Sequence, residues 1–81
     1  MKIYRYNDRK NIIGENVRSL RKSLKMTQKQ LAGNLQLLGY DFDRLTILRI
    51  EAGDRFITDY EVKALSEVLG ISIDSLYMNT H

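Results

Sequence analysis

The sequence has no cysteine and no proline, and its single histidine is the last residue, His81. Without thiols there is neither a disulfide framework nor a thiolate metal site, and no cysteine- or histidine-based nucleophile can be assembled. Asp41 and Asp43 are too sparse for a calcium loop, and glycine-rich phosphate loops are absent. No catalytic residue, metal ligand or cofactor is therefore expected, and the protein is not expected to be an enzyme. No apolar run approaches the roughly 20 residues of a membrane span. The opening M-K-I-Y-R-Y-N-D-R-K lacks the apolar segment of a secretion signal, so a cytoplasmic protein is expected. At 81 residues the chain has room for one domain with one modest core.

What is present is an uneven charge. The net value is +3, but residues 1–29 hold nine Lys or Arg against Asp8 and Glu15, whereas residues 30–81 hold four against eight acids. A basic front facing a polyanion would produce this pattern, and so would an ordinary solvated helical surface.

Taken in order, Met1 to Asn11 form a basic arm in which Ile3, Tyr4 and Tyr6 alternate with Lys2 and Arg5. A short strand, a disordered tail and an arm along a nucleic-acid groove all fit; mobility in the free protein is expected. A domain over residues 12–78 follows, with a short tail at 79–81. Ile13, Val17, Leu20 and Leu24 recur at helical spacing and predict a first helix to about Lys25, with Arg18, Arg21, Lys22 and Lys25 on its opposite side. Thr27 and Gln30 make a capping box for a second helix, which carries Leu31, Ala32, Leu35 and Leu38 on its apolar face. Gly33 weakens this helix and Gly39 stops it. Asp43 caps a third helix that ends at Gly53; within it Ile47 and Ile50 share one face, leaving Arg44, Leu45 and Arg49 outward. Thr58 and Glu61 form a second capping box for a fourth helix with Val62, Leu65, Val68 and Leu69 inside and Gly70 as its stop. Ser72 caps a fifth, from Asp74 to about Met78, whose Leu76 closes the core. The result is an all-α domain of five short helices.

The stretches T-Q-K-Q-L-A, T-I-L-R-I-E-A-G and A-L-S-E-V-L-G-I-S-I-D-S-L, in that order, resemble the lambda-repressor-like, or Cro and Xre type, helix-turn-helix DNA-binding domain. The likeness runs from about Ile13 to Tyr77. It implies that the helix from Thr27 crosses a DNA backbone while the Asp43 to Ala52 helix enters the major groove. Thr27, Gln28, Lys29 and Arg55 fall where phosphate is held, with Lys25 as further charge. Arg44, Leu45 and Arg49 fall where bases are read, although both arginines could instead touch only phosphate. Arg21 and Glu51 match a pair that joins the first helix to the end of the third, so Glu51→Ala is expected to loosen DNA binding without touching DNA.

Departures from the family pattern are equally specific. The segment between Leu35 and Asp43 is longer than usual, which predicts a second helix extended by about a turn and a Gly39 to Phe42 connection. Phe42 is expected in the apolar position before the cap, while Tyr40 fits core, surface or DNA contact. Leu48 replaces a small polar residue, Asp54 adds negative charge beside a phosphate loop, and Ile57 replaces a frequent proline. The resemblance implies a transcriptional regulator, expected to be a repressor, that binds double-stranded DNA at a palindromic operator as a homodimer. A protein-interaction module such as an antitoxin, with DNA binding secondary, is the alternative. Ile73, Leu76, Tyr77 and Met78 are either a dimer contact or ordinary core.

Overall fold

Asn11 sets where the first helix begins. Its Oδ1 accepts a hydrogen bond from the Gly14 N–H at 2.8 Å, and Val17 N–H already reaches Ile13 O at 2.9 Å, so α1 runs Gly14–Ser23. The computed structural model describes residues 6–78, over which four more helices follow: α2 (Gln28–Leu37), α3 (Arg44–Ala52), α4 (Asp59–Leu69) and α5 (Ile73–Tyr77). Among the described residues there is no strand, only an isolated antiparallel bridge between Tyr6 and Arg9. None of these helices is long and apolar enough to cross a membrane.

Each later start is fixed by a side chain that accepts one of the first free N–H groups. Thr27 and Gln30 close a reciprocal box, as do Thr58 and Glu61, while Asp43 accepts from Thr46 and Ser72 from Ser75. Four ends use left-handed residues after the last turn, Gly39 at φ +92° serving α2. Gly53 and Gly70 serve α3 and α4, but after α1 the residue is Lys25 at φ +57°. There Met26 N–H reaches Arg21 O and Lys25 N–H reaches Lys22 O, both at 3.0 Å, the paired bonds of a Schellman end.

These ends explain two differences from the sequence reading. Leu24 stays half exposed at 50%: its N–H still reaches Leu20 O at 3.0 Å, but it is the cap residue of α1, and the chain turns off at the left-handed Lys25 directly after it. Leu38, at 47%, lies past the last residue of α2 for the same reason, with Gly39 at φ +92° reversing the chain. Arg21, placed by spacing on the solvent side of α1, is buried.

Helix α3 packs on both α1 and α2; α4 covers the rest of α2, and α5 crosses α1 and α4. Ile13, Val17, Leu31, Leu35, Phe42, Ile47, Ile50, Leu65 and Leu76 are the largest side chains fully enclosed between them. The connection from 38 to 43 is held in three ways. Gln36 Nε2 donates to Phe42 O at 2.6 Å, Phe42 is buried, and Tyr40 stacks on Tyr60 with centroids 6.2 Å apart while its hydroxyl donates to Tyr60 O at 3.2 Å. Tyr40 therefore belongs to the α2–α4 packing.

The first five residues of the arm and the 79–81 tail lie outside the described residues. Residues 9–11 are docked against the end of α3, so the expected mobility does not extend to them. Gly14 permits that docking: a Cβ there would overlap the Ile50 carbonyl oxygen and stand 2.6 Å from Asn11 Oδ1. Around Gly33 there is nothing within 4 Å. Gly33→Ala should therefore raise stability by about 0.5–1 kcal/mol, the usual helical preference for alanine. Gly14→Ala should lower it by about 1–3 kcal/mol despite the same preference, as overpacking does. Thermal melts of the two variants should move in opposite directions.

Candidate nucleic-acid interface

The exposed side of α3 is a consequence of what the other side buries. Ile47, Ile50 and Glu51 point inward, so Arg44, Leu45, Leu48, Arg49 and Ala52 are left in solvent. Helix α2 starts beside the same surface. Arg21, Thr27, Gln28, Lys29 and Arg44 line one shallow open depression between the starts of α2 and α3. Five residues singled out in the sequence thus meet in space, three from the expected phosphate set, one from the expected base-reading set and one from the structural pair. The first turn of α2 presents backbone N–H groups and the positive end of the helix dipole there, with Lys29 exposed alongside.

Beneath this surface Arg21 and Glu51 form a two-pronged ion pair. Arg21 Nε donates to Glu51 Oε2 at 2.7 Å and Nη2 to Oε1 at 2.9 Å, with both residues buried at 8% and 7% exposure. The third prong, Nη1, donates to Met26 O at 2.9 Å, so the same guanidinium fixes the turn between α1 and α2. Hydrogen bonding to Glu51 raises the Arg21 pKa further above its ordinary range, so the arginine is a fixed cation. Gln28 Nε2 adds a bond to Glu51 Oε1 at 3.2 Å. One carboxylate on α3 therefore gathers α1, the α1–α2 turn and the first residue of α2.

Arg55 lies elsewhere. Its Nη1 and Nη2 donate to the two carboxylate oxygens of Glu61 at 3.0 Å each, Nη1 also reaches Phe56 O at 3.0 Å, and the guanidinium lies 5.2 Å from the centre of the Phe42 ring. It remains about one-third exposed but is committed to bracing the loop against the start of α4. Burial alone would push the Glu61 carboxyl up; hydrogen bonds from Arg55 and from the Thr58 N–H, with the Arg55 charge, outweigh it and hold the group below the usual glutamate range. Asp43 is also lowered, first by the Thr46 N–H and then by the Thr46 hydroxyl, so the α3 cap stays ionised. Asp54 is exposed, and Ile57 packs against the core in place of the stiffening a proline would give.

Spacing gave no sign of three residues in this region. Arg9, Asn11 and Gly14 meet the carbonyl end of α3 across 36 to 44 residues of chain, for example Asn11 Nδ2 to Ile50 O at 3.0 Å and to Arg55 O at 2.9 Å. The only hint in the sequence is an asparagine three residues before a glycine at a helix start.

A family model described as helix-turn-helix matches residues 17–76. Among solved structures, that of the P22 c2 repressor in complex with a synthetic operator is similar, with a TM-score of 0.69 and 26% identity. The match covers 84% of this chain and 96% of that one. No curated protein sequence matches the chain.

Two outcomes are expected. Glu51→Ala strands the buried Arg21 charge and should cost about 3–5 kcal/mol, read by chemical denaturation. Because the folded Glu61 pKa lies below its unfolded value near 4.3, its stabilisation is complete above that pH and is lost as pH falls through the lower folded value. Arg55→Ala should reduce stability at pH 7 by about 1 kcal/mol and flatten the loss between pH 5 and 3, measured by thermal melts across a pH series.

Proposed function

The chain belongs to the helix-turn-helix family and is a DNA-binding transcription regulator; from that premise we propose that it is a sequence-specific repressor whose α3 reads bases in the major groove. The observation that carries the proposal is the shared depression in which Thr27, Gln28 and Lys29 of the α2 start meet Arg44 of α3. In this reading the α2 N–H groups, Thr27, Gln28 and Lys29 hold one phosphate region, and Arg55 adds charge from its exposed edge, offset by Glu61. Arg44 and Arg49 each present a fork that fits guanine O6 and N7, while exposed Leu45 fits a thymine methyl, and each good base contact is worth about 1–3 kcal/mol of discrimination. Arg21 and Glu51 touch no DNA and orient the helix.

A single small module buries only about 600–1,000 Å² on DNA, so tight binding calls for two copies on a two-fold operator. Exposed Phe56, Ile73 and Met78 offer apolar area for a symmetric contact, whereas Leu76 is core. The proposed setting is the cytoplasm.

Selection from a random duplex library, followed by binding of the winner and a scrambled duplex over a salt series, tests the proposal. A palindromic consensus with half-sites about one helical turn apart is expected. Arg44→Ala or Arg49→Ala should erase preference at one position, a loss of about tenfold or more. Lys29→Ala should weaken both duplexes alike and reduce the log-log salt slope by about 0.9. Equal binding of winner and scramble would overturn base reading and direct attention to a protein partner.

A further inference from the structure

The geometry points to Arg9 and Asn11 as positioning residues for α3, a clamp on its carbonyl end that holds the helix in reading register; this rests on the base-reading role proposed above. The last carbonyls of a helix have no partners within it, and here the chain before α1 supplies them. Asn11 uses all of its hydrogen-bonding capacity but one lone pair: Nδ2 donates to Ile50 O at 3.0 Å and Arg55 O at 2.9 Å, while Oδ1 accepts from Gly14 N–H at 2.8 Å. One buried amide thus ties the start of α1 to the chain on both sides of the α3 end. Arg9 Nη2 donates to Glu51 O at 2.8 Å, and Lys10 N–H donates to Gly53 O at 2.8 Å.

Two glycines leave room for the clamp. A Cβ on Gly53 would stand 2.7 Å from Arg9 Cζ, and one on Gly14 would stand 2.8 Å from Arg9 Nη2. The arginine charge lies at the negative end of the α3 dipole, where a cation is favoured. Its Nε is buried without a partner, so the anchoring rests on Nη2.

Glu51 is consequently held twice. Its carboxylate is bound by Arg21 and Gln28, and its carbonyl by Arg9 from the segment before α1. Held at side chain and backbone together, the last turn of α3 can neither roll nor tilt freely, and Arg49 is in that turn. Productive recognition tolerates only about 0.5 Å and 10–20° of misplacement, so the clamp acts on discrimination. The Arg9 side chain is 19% exposed and its open edge, Nη1, faces Glu15 Oε1 at 3.4 Å, so it acts through α3 and not on phosphate.

The test uses the full chain with Arg9→Ala, Arg9→Lys and Asn11→Ala, at a temperature where melts show every variant folded. Two readouts are taken: amide hydrogen exchange at Lys10 and Asp54 in the free protein, and the ratio of affinities for the selected and scrambled duplexes across a salt series. Arg9→Ala and Asn11→Ala should speed exchange at both amides and lower the ratio about tenfold with the scrambled-duplex salt slope unchanged, the loss of roughly one base contact. Arg9→Lys should recover part of the ratio. A ratio that stays constant while both affinities fall marks a purely structural role and overturns the proposal. A slope lower by about 0.9 with the ratio constant marks a direct phosphate contact and overturns it equally. If the native protein does not discriminate, base reading falls on its own, and exchange judges the clamp: wild-type protection in Arg9→Ala overturns it, and lost protection upholds it.

Discussion

The surface proposed to meet DNA depends on one buried ion pair, Arg21 with Glu51. Two opposite charges removed from water are tolerable only when their hydrogen bonds are filled, and these are: the guanidinium gives two prongs to the carboxylate and one to Met26 O, and the carboxylate takes a further bond from Gln28. Such a pair contributes little net stability compared with an apolar substitute of the same shape, yet neither partner can move without stranding the other. Its effect is geometric. It sets how α3 lies against α1 and where α2 begins, which are the two relations that a helix reading a groove must have right.

The remaining rigidity comes from many local fastenings and little from bulk. With so small a core, two reciprocal capping boxes, two further side-chain caps and four left-handed helix ends do much of the work of stopping and starting the chain. Each is worth on the order of 1 kcal/mol, and together they make the helices short and sharply bounded. The long connection before α3 shows the same economy. Tyr40 and Phe42 pin it to the core and to α4, so extra chain between α2 and α3 does not become freedom in α3.

Local signals were therefore the most legible part of the sequence. Thr27, Asp43, Thr58 and Ser72 announced the helix starts because capping needs only a side-chain oxygen and an N–H two or three residues away. Gly53 and Gly70 announced ends because the left-handed turn favours glycine. Where the turn is made by Lys25, that signal was missing, and Leu24 was assigned to the core although it is the last residue before the chain turns away. The Arg21–Glu51 contact spans 30 residues and came from the family resemblance, since no spacing rule reaches so far. Arg9, Asn11 and Gly14 had no family motif to mark them and no local signal beyond an asparagine three residues before a glycine. Their roles exist only once α3 is in place, and a glycine whose missing Cβ makes way for a distant carbonyl looks in sequence like a mere helix defect.

Gln28 shows why the two halves of the proposed site would act as one. Phosphate contacts place a protein on a duplex and base contacts choose among sequences, and the two agree only if a rigid path joins them. One Gln28 amide hydrogen is used on Glu51, which leaves the other for a phosphate oxygen at the α2 start, where the helix N–H groups already favour an anion. A phosphate held there would be one amide away from the carboxylate that fixes the last turn of α3, and hence from Arg49. Registering on the backbone then fixes the depth and tilt at which the arginines meet base edges, with no conformational change needed. Discrimination would rest on how little this path can bend, and residues with no view of the DNA would then carry as much weight as those proposed to face it.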